Sequence, residues 1–243
     1  MSSRGPLMFY ELAPFYDRLL EKKDYRSESR RLEELARKYG RSGGNAWLDV
    51  ACGTGRHLRY LRARYRVTGL DRSPDMLKVA RRRLPGVPLV RDDMQTFRLR
   101  QRFDVLSCLF GAIGNVPTEA GYQETVTNFA NHLKPGGLLI VEPWIDPEEF
   151  RVGYLRLMEH EDPSTKVVRL AYSDRRGNRS ITRTHYLVGE VGKGMRHLEE
   201  VDVRRMVPHA RLEDMIRLGG LQPKVVRRGL GTGRPLYLGL RPR

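Results

Sequence analysis

The chain has 243 residues, with 45 Lys and Arg against 29 Asp and Glu, a net charge of +16 at neutral pH, and 40% hydrophobic residues. That length suits one domain with an inserted or appended piece, or two small domains, and a core that folds without staples. Two cysteines, Cys52 and Cys108, exclude a disulfide framework or a four-ligand zinc site. No apolar run reaches the roughly 18–20 residues of a membrane span, and charges and a proline occupy the first 20 residues, where a signal peptide needs an apolar stretch. The expected setting is soluble, reducing and cytoplasmic, with no membrane partner.

The basic excess is dispersed. There are 37 Arg against 8 Lys, and the runs are short: Arg81-Arg82-Arg83, Arg204-Arg205 and Arg227-Arg228. A nucleic-acid binder concentrates its charge on one face or tail. Solvated surface is therefore the expected reading and nucleic acid an unlikely partner, with RNA or a phosphorylated small molecule as the sharper alternative.

Residues 11–40 read as helix. Leu12, Phe15, Tyr16, Leu19 and Leu20 fall at amphipathic spacing, residues 27–39 repeat the pattern, opened by Ser27 or Ser29 as a candidate cap, and Gly40 with Ser42-Gly43-Gly44 stops the run. The run Ala46 to Ala51 is a strand ending in glycines, followed by helix from Arg56 to Tyr65. Val67 to Asp71 is a second strand, and Ser73-Pro74 opens a helix with proline at its first position. Val87–Val90 and Phe103–Phe110 are further strands, the latter nearly all apolar as in a doubly covered parallel strand. Helix 119–133, a turn at Lys134-Pro135-Gly136-Gly137 and strand Leu138–Val141 follow. Strands alternating with helices predict an α/β sandwich with a parallel sheet.

After Pro143 the period shortens towards two. Segments 154–160, 166–174, 180–189 and 195–207, separated by turn residues, predict an antiparallel β insertion. Helix 210–219 and a hairpin around the Gly229–Gly233 loop close the chain. The expected division is an N-terminal helical cap (1–44), an α/β core (45–143), the β insertion (144–208) and a C-terminal helix and hairpin completing the core (209–243).

The most informative stretch is Leu48-Asp49-Val50-Ala51-Cys52-Gly53-Thr54-Gly55. Glycines after a buried strand let backbone turn tightly and approach a ligand, and the next helix offers free N–H groups. Alone, this fits phosphate, dinucleotide or adenosyl ligands. Asp71, ending the second strand, can accept both ribose hydroxyls. Asp93 can accept from an exocyclic amine, with Met94 packed on a flat ring. Leu58 stands where a dinucleotide fingerprint needs its third glycine, and Asp49 would repel phosphate but suit an ammonium. A ligand with adenosine and a positive amino-acid end is S-adenosylmethionine.

That set, with Gly69-Leu70-Asp71-Arg72-Ser73-Pro74-Asp75-Met76-Leu77, Asp92-Asp93-Met94 and Leu133-Lys134-Pro135-Gly136-Gly137, resembles the class I S-adenosylmethionine-dependent methyltransferases over roughly residues 9–143. The resemblance implies a Rossmann-like α/β fold with a mostly parallel seven-stranded sheet. It implies a cofactor site of Asp49, Ala51, Gly53, Gly55, Asp71, Arg72, Met76, Asp93 and Met94, with Leu109 and Phe110 at the transfer site. Ala51, where many members have glycine, permits the approach if φ is negative.

Tyr16-Asp17, Lys23-Asp24-Tyr25, Glu142-Pro143-Trp144, Thr184-His185-Tyr186-Leu187-Val188 and Gly231-Thr232-Gly233-Arg234 resemble the N,N-dimethyltransferases of nucleotide-linked amino sugars, over nearly the whole chain. That resemblance implies Tyr16 and Tyr25 closing over the cofactor, Arg234 meeting a diphosphate, and Trp144 and Tyr154 at the substrate mouth. It implies a small-molecule acceptor, S-adenosylhomocysteine as product and a homodimer with the β insertion as lid or dimer surface. No metal is expected. Asn115 stands where relatives carry His or Tyr. An amide cannot act as a base, but it can hold an amine by hydrogen bonding, and alignment alone drives much of an in-line transfer. An RNA or protein methyltransferase on the same fold, and a non-catalytic cofactor-binding protein, are the alternatives.

Each residue also has a plain reading: Asp71 a helix cap, Asp49 a partner for loop N–H groups, Tyr16, Tyr25 and Trp144 ordinary aromatics, Arg234 a surface arginine, His57 a helix-start residue, His185 and His197 strand residues, and the cysteines packing residues.

Overall fold

The computed structural model describes residues 13–243; Leu12 and the first twelve residues of the expected N-terminal cap lie outside the described residues. The expected leading helix is two helices, α1 (Ala13–Leu19) and α2 (Tyr25–Tyr39). They separate because Asp24 caps α2, its carboxylate accepting from Ser27 N at 2.9 Å, so neither Ser27 nor Ser29 is the cap. α2 buries Leu32, Leu35 and Ala36 on one face against the sheet.

The core alternates β1 (Ala46–Val50), α3 (Arg56–Leu61), β2 (Arg66–Asp71), α4 (Pro74–Arg83), β3 (Leu89–Arg91) and β4 (Phe103–Cys108). Next come a short 3-10 turn at Ala112–Asn115, α5 (Glu119–Asn131) and β5 (Leu133–Val141). Ser73 caps α4 by accepting from Met76 N at 3.1 Å, with Pro74 at the first helical position. α3 ends four residues short of expectation, in a turn that feeds β2. The expected turn at 134–137 lies inside β5, where the pairing with β4 shifts register between Phe103 and Val105. The strand accommodates the extra residues as an irregularity rather than stopping.

The insertion is β6 (Leu155–Asp162), β7 (Thr165–Arg176), β8 (Arg179–Glu190) and β9 (Gly194–Arg205), and α6 (His209–Leu218), β10 (Gln222–Val226) and β11 (Leu236–Leu240) complete the chain. The large sheet has seven strands in the order β10-β11-β5-β4-β1-β2-β3, parallel except for β11, which pairs antiparallel with both β10 and β5. β1 and β4 are buried along their length, as strands covered by helices on both faces must be. The order reverses between β1 and β4, and in such sheets a ligand lies at the carboxyl ends beside that reversal.

The four insertion strands form a separate antiparallel sheet in sequential order. Its inner face holds Val167, Tyr186 and Val188 against Phe15 of α1. Its outer face leaves Leu155, Leu157, Leu170, Tyr172 and Leu187 exposed. No helix among the described residues is long and apolar enough to cross a membrane.

Candidate active site

The loop leaving β1 carries three residues in the left-handed region: Ala51 (φ +58°), Gly53 (φ +55°) and Gly55 (φ +74°). The negative φ expected for Ala51 is not what the chain adopts, and an alanine there costs roughly 1–2 kcal/mol. The two glycines serve different needs. Among the described residues, a Cβ on Gly53 would meet nothing within 4 Å, so its backbone can be approached closely. A Cβ on Gly55 would come within 2.6 Å of Leu84 Cδ1, so this glycine lets α3 and α4 pack. Asp71, at the end of β2, fixes the loop: its carboxylate accepts from Gly53 N and Ser73 N, each at 2.8 Å. Each carboxylate oxygen keeps a second lone pair, so tying the loop and accepting from a ligand are compatible roles.

Gly53, Asp71 and Asp93, from three neighbouring strand ends, open into one cavity of about 270 Å3. Ala51, Arg72, Met76, Met94, Leu109, Phe110, Asn115 and Tyr16 line it too. Asp93 accepts from Gln95 N at 2.9 Å, which shapes the loop that carries Met94. Strand β9 of the insertion supplies the opposite wall, Glu200 to Arg204. A flat ring beside Met94, a ribose at Asp71 and open backbone at Gly53 fit an adenosyl group. Among the described residues, five acids (Asp71, Asp92, Asp93, Glu200, Asp202) against two bases (Arg72, Arg204) suit a cationic ligand.

Asp49 and Gly55 do not line this cavity. Asp49 is buried beneath the loop, accepting from Ser107 Oγ at 2.6 Å, while Ser107 Oγ in turn accepts from Trp47 Nε1 at 2.8 Å. Burial pushes the Asp49 carboxyl from an ordinary 3.8 up to about 6, against the opposing pull of His57 and Ser107. Between those two values the folded chain holds a proton that the unfolded chain has released, so Asp49's contribution to stability declines as pH rises through that window. Asp49→Asn cannot titrate. From about pH 4 to about pH 6 its melting temperature is expected to fall less, or rise more, than the parent's; thermal melts at both pH values check this, and parallel trends would refute it.

A second cavity of about 920 Å3 meets the first at Phe110. Trp144, Arg234, the Gly229–Thr232 loop and the 19–31 segment line it. Here, among the described residues, five bases (Lys22, Lys23, Arg31, Arg156, Arg234) face two acids (Asp24, Glu28). Phe110 holds φ +58°, an uncommon conformation for a bulky residue. Glu142, fully buried, stabilises that turn: its carboxylate accepts from Phe110 N at 2.6 Å and its carbonyl from Gly111 N at 3.2 Å. The same carboxylate accepts from the Thr232 hydroxyl and pairs with Arg234 at 3.4 Å. The Arg234 guanidinium lies 5.7 Å from the Phe110 ring centre and 5.5 Å from that of Trp144.

Trp144 Nε1 donates to Ser180 Oγ at 2.8 Å, which ties the second cavity to the insertion. Asn115 Nδ2 donates to Ala112 O at 3.0 Å within its own turn. Tyr25 is buried beside His57 (4.9 Å between ring centres) and under Arg56, and lines neither cavity. Tyr154, 53% exposed, also lines neither.

Three contributions were not singled out from sequence. Glu142 and Asp17 stand out in the sequence only as members of motifs. Asp17 accepts from Thr54 Oγ1 at 2.7 Å and pairs with Arg83, fastening α1 to the glycine loop. Glu200 faces the first cavity from a strand about 150 residues downstream of the loop. No local period signals such contacts. Among the described residues, the grouping of metal-ligand types that comes together is His185, His197 and Glu199. It is exposed, outside both cavities, and the two imidazoles hydrogen-bond each other at 2.9 Å.

Comparison with known proteins agrees with this geometry. A methyltransferase-domain family model matches residues 48–137. The dTDP-3-amino-3,6-dideoxy-alpha-D-glucopyranose N,N-dimethyltransferase of Streptomyces fradiae is 36% identical, over 98% of this chain and 95% of its own. The crystal structure of a sugar N-methyltransferase from Streptoalloteichus superposes with a TM-score of 0.90 at 31% identity, covering 100% of this chain and 97% of that one. An S-adenosylmethionine-bound amino pentose methyltransferase from Micromonospora echinaspora gives 0.83 at 33% identity, covering 99% and 100%.

Proposed function

The chain belongs to the class I S-adenosylmethionine-dependent methyltransferases, related along nearly its whole length to dTDP-amino-sugar N,N-dimethyltransferases, and from that premise we propose that its acceptor is the amino group of a nucleotide-linked sugar. The observation that carries this reading is the pair of cavities meeting at Phe110, one rich in acids and the other in bases. The first suits a sulfonium cofactor. The second suits the diphosphate of a nucleotide sugar, whose amino group would then reach the boundary between them.

When bound, the cofactor supplies an electrophilic methyl on a positively charged sulfur. On our reading Gly53, Asp71, Arg72, Met76, Asp93 and Met94 hold it, with Ala51 shaping the loop and Asp49 acting electrostatically from beneath. Tyr16 and the inner face of β9 exclude water from the opposite side. The strained turn at Phe110 and Leu109 fixes the wall between amine and methyl, so that approach is in line and much of the rate comes from alignment. Asn115 presents its amide oxygen to the amine, and Arg234 and Trp144 hold the nucleotide end.

The test is turnover of labelled methyl from S-adenosylmethionine against dTDP-amino sugars, simple amines, hydroxylated acceptors and RNA. One or two methyl additions to a nucleotide-linked amino sugar, by mass spectrometry, are expected. Transfer to RNA alone, or to none of the amines, would contradict the reading.

A further inference from the structure

Strand β9 presents Glu200, Asp202 and Arg204 on its inner face, while Val201 and Val203 point outward and are exposed. Asp202 and Arg204 pair with each other at 2.7 Å. Among the described residues Glu200 has no such partner. It is 4% exposed, its Oε2 accepts from the Tyr186 hydroxyl at 2.9 Å, and its Oε1 is buried with no hydrogen-bond partner among the described residues. The titratable and charged groups around it are Tyr186 from β8, Arg169 from β7, Asp202 and Arg204 from its own strand, and Tyr16 from α1 on the same cavity. Neither arginine forms an ion pair with it. A buried carboxylate oxygen without a donor is costly and calls for an explanation. This one belongs to a residue lining the same cavity as Phe110 and Asn115.

We propose that Glu200 binds the ammonium form of the acceptor's amino group and takes its proton before transfer. The assignment rests on the amine-acceptor reading above. An amino sugar arrives largely as an ammonium, which has no lone pair to attack with, and Asn115 has no basicity to offer. The Glu200 carboxylate accepts a hydrogen bond from that ammonium; the N–H bond breaks, an O–H bond forms, and the pair left on nitrogen is free. That pair forms the new N–C bond as the methyl–sulfur bond breaks, and the sulfur keeps its electrons in S-adenosylhomocysteine. Glu200 returns its proton to solvent as product leaves. Burial, which raises the carboxyl above its ordinary value, brings its proton affinity closer to that of the amine.

Glu200→Gln keeps the volume and an oxygen for Tyr186 but cannot take a proton. With a dTDP-amino sugar as acceptor, kcat at neutral pH is expected to fall about 100-fold or more, and the deficit to shrink as pH rises and the amine arrives unprotonated. Cofactor affinity by calorimetry is expected to fall far less than kcat, since Asp71, Asp92, Asp93 and Asp202 keep that cavity acidic. Equal activity of parent and variant overturns the assignment alone. So does a loss that is constant with pH, or one matched by an equal loss of cofactor affinity, which would place Glu200 on the cofactor's own cation. A parent inert toward every amine overturns the acceptor reading and this assignment with it.

Discussion

Asp71→Ala is expected to weaken S-adenosylmethionine binding at least about 100-fold, roughly 2.7 kcal/mol, measured by calorimetry. Two backbone N–H groups, of Gly53 and Ser73, depend on this carboxylate at 2.8 Å each. Hydrogen bonds to a charged acceptor are each worth about 1.5–3 kcal/mol, and unpaired donors in a buried loop add a penalty. The loop around Gly53 loses its anchor in the same step that removes the partner proposed for the ribose. Asp71→Asn separates the two losses. Its oxygen can keep one N–H while its amide nitrogen confronts the other, so a smaller defect is expected, with a lowered melting temperature in the absence of cofactor. Near-parental affinity in both variants would return Asp71 to the role of a simple loop cap.

Arg234→Ala is expected to raise KM for the nucleotide sugar about 100-fold while leaving cofactor affinity unchanged, because the guanidinium lies in the basic cavity and not in the acidic one. It should also destabilise the fold by about 3–5 kcal/mol, since Glu142 is buried and would lose its cation. The double variant Arg234→Gln with Glu142→Gln removes both charges, so stability should partly return while KM stays high. Recovery of KM along with stability would mean that Arg234 serves Glu142 and not the acceptor.

The parts of the candidate site governed by local chemistry are legible in the sequence. Gly53, Asp71 and Asp93 sit at strand ends that hydrophobic runs and turn residues mark, and the alternation of strands with helices brings them side by side. The insertion was legible as a period of two, and the alternating burial along β7 and β8 follows that period. What escaped depends on tertiary contacts. The left-handed turn at Ala51 is held by neighbours rather than by residue type. The break between α1 and α2 turned on which polar residue reached a backbone N–H first, and Asp24 did so ahead of Ser27. The irregular pairing inside β5 keeps a strand where Lys134 to Gly137 reads as a turn. Glu142 and Glu200 act across sequence gaps that no periodicity spans, Glu142 reaching Thr232 and Arg234. Tyr154, just before β6, is exposed, a placement that residue type alone does not signal.

The roles assigned to Gly53, Asp71 and Asp93 require one small molecule to lie across the ends of β1, β2 and β3. A crystal structure with S-adenosylhomocysteine is the most direct test. The ligand should occupy the cavity of about 270 Å3, its ribose hydroxyls on Asp71, its adenine between Asp93 and Met94 and its amino-acid end over Gly53. A ligand seated elsewhere, or those three positions left without contact to it, would contradict the account.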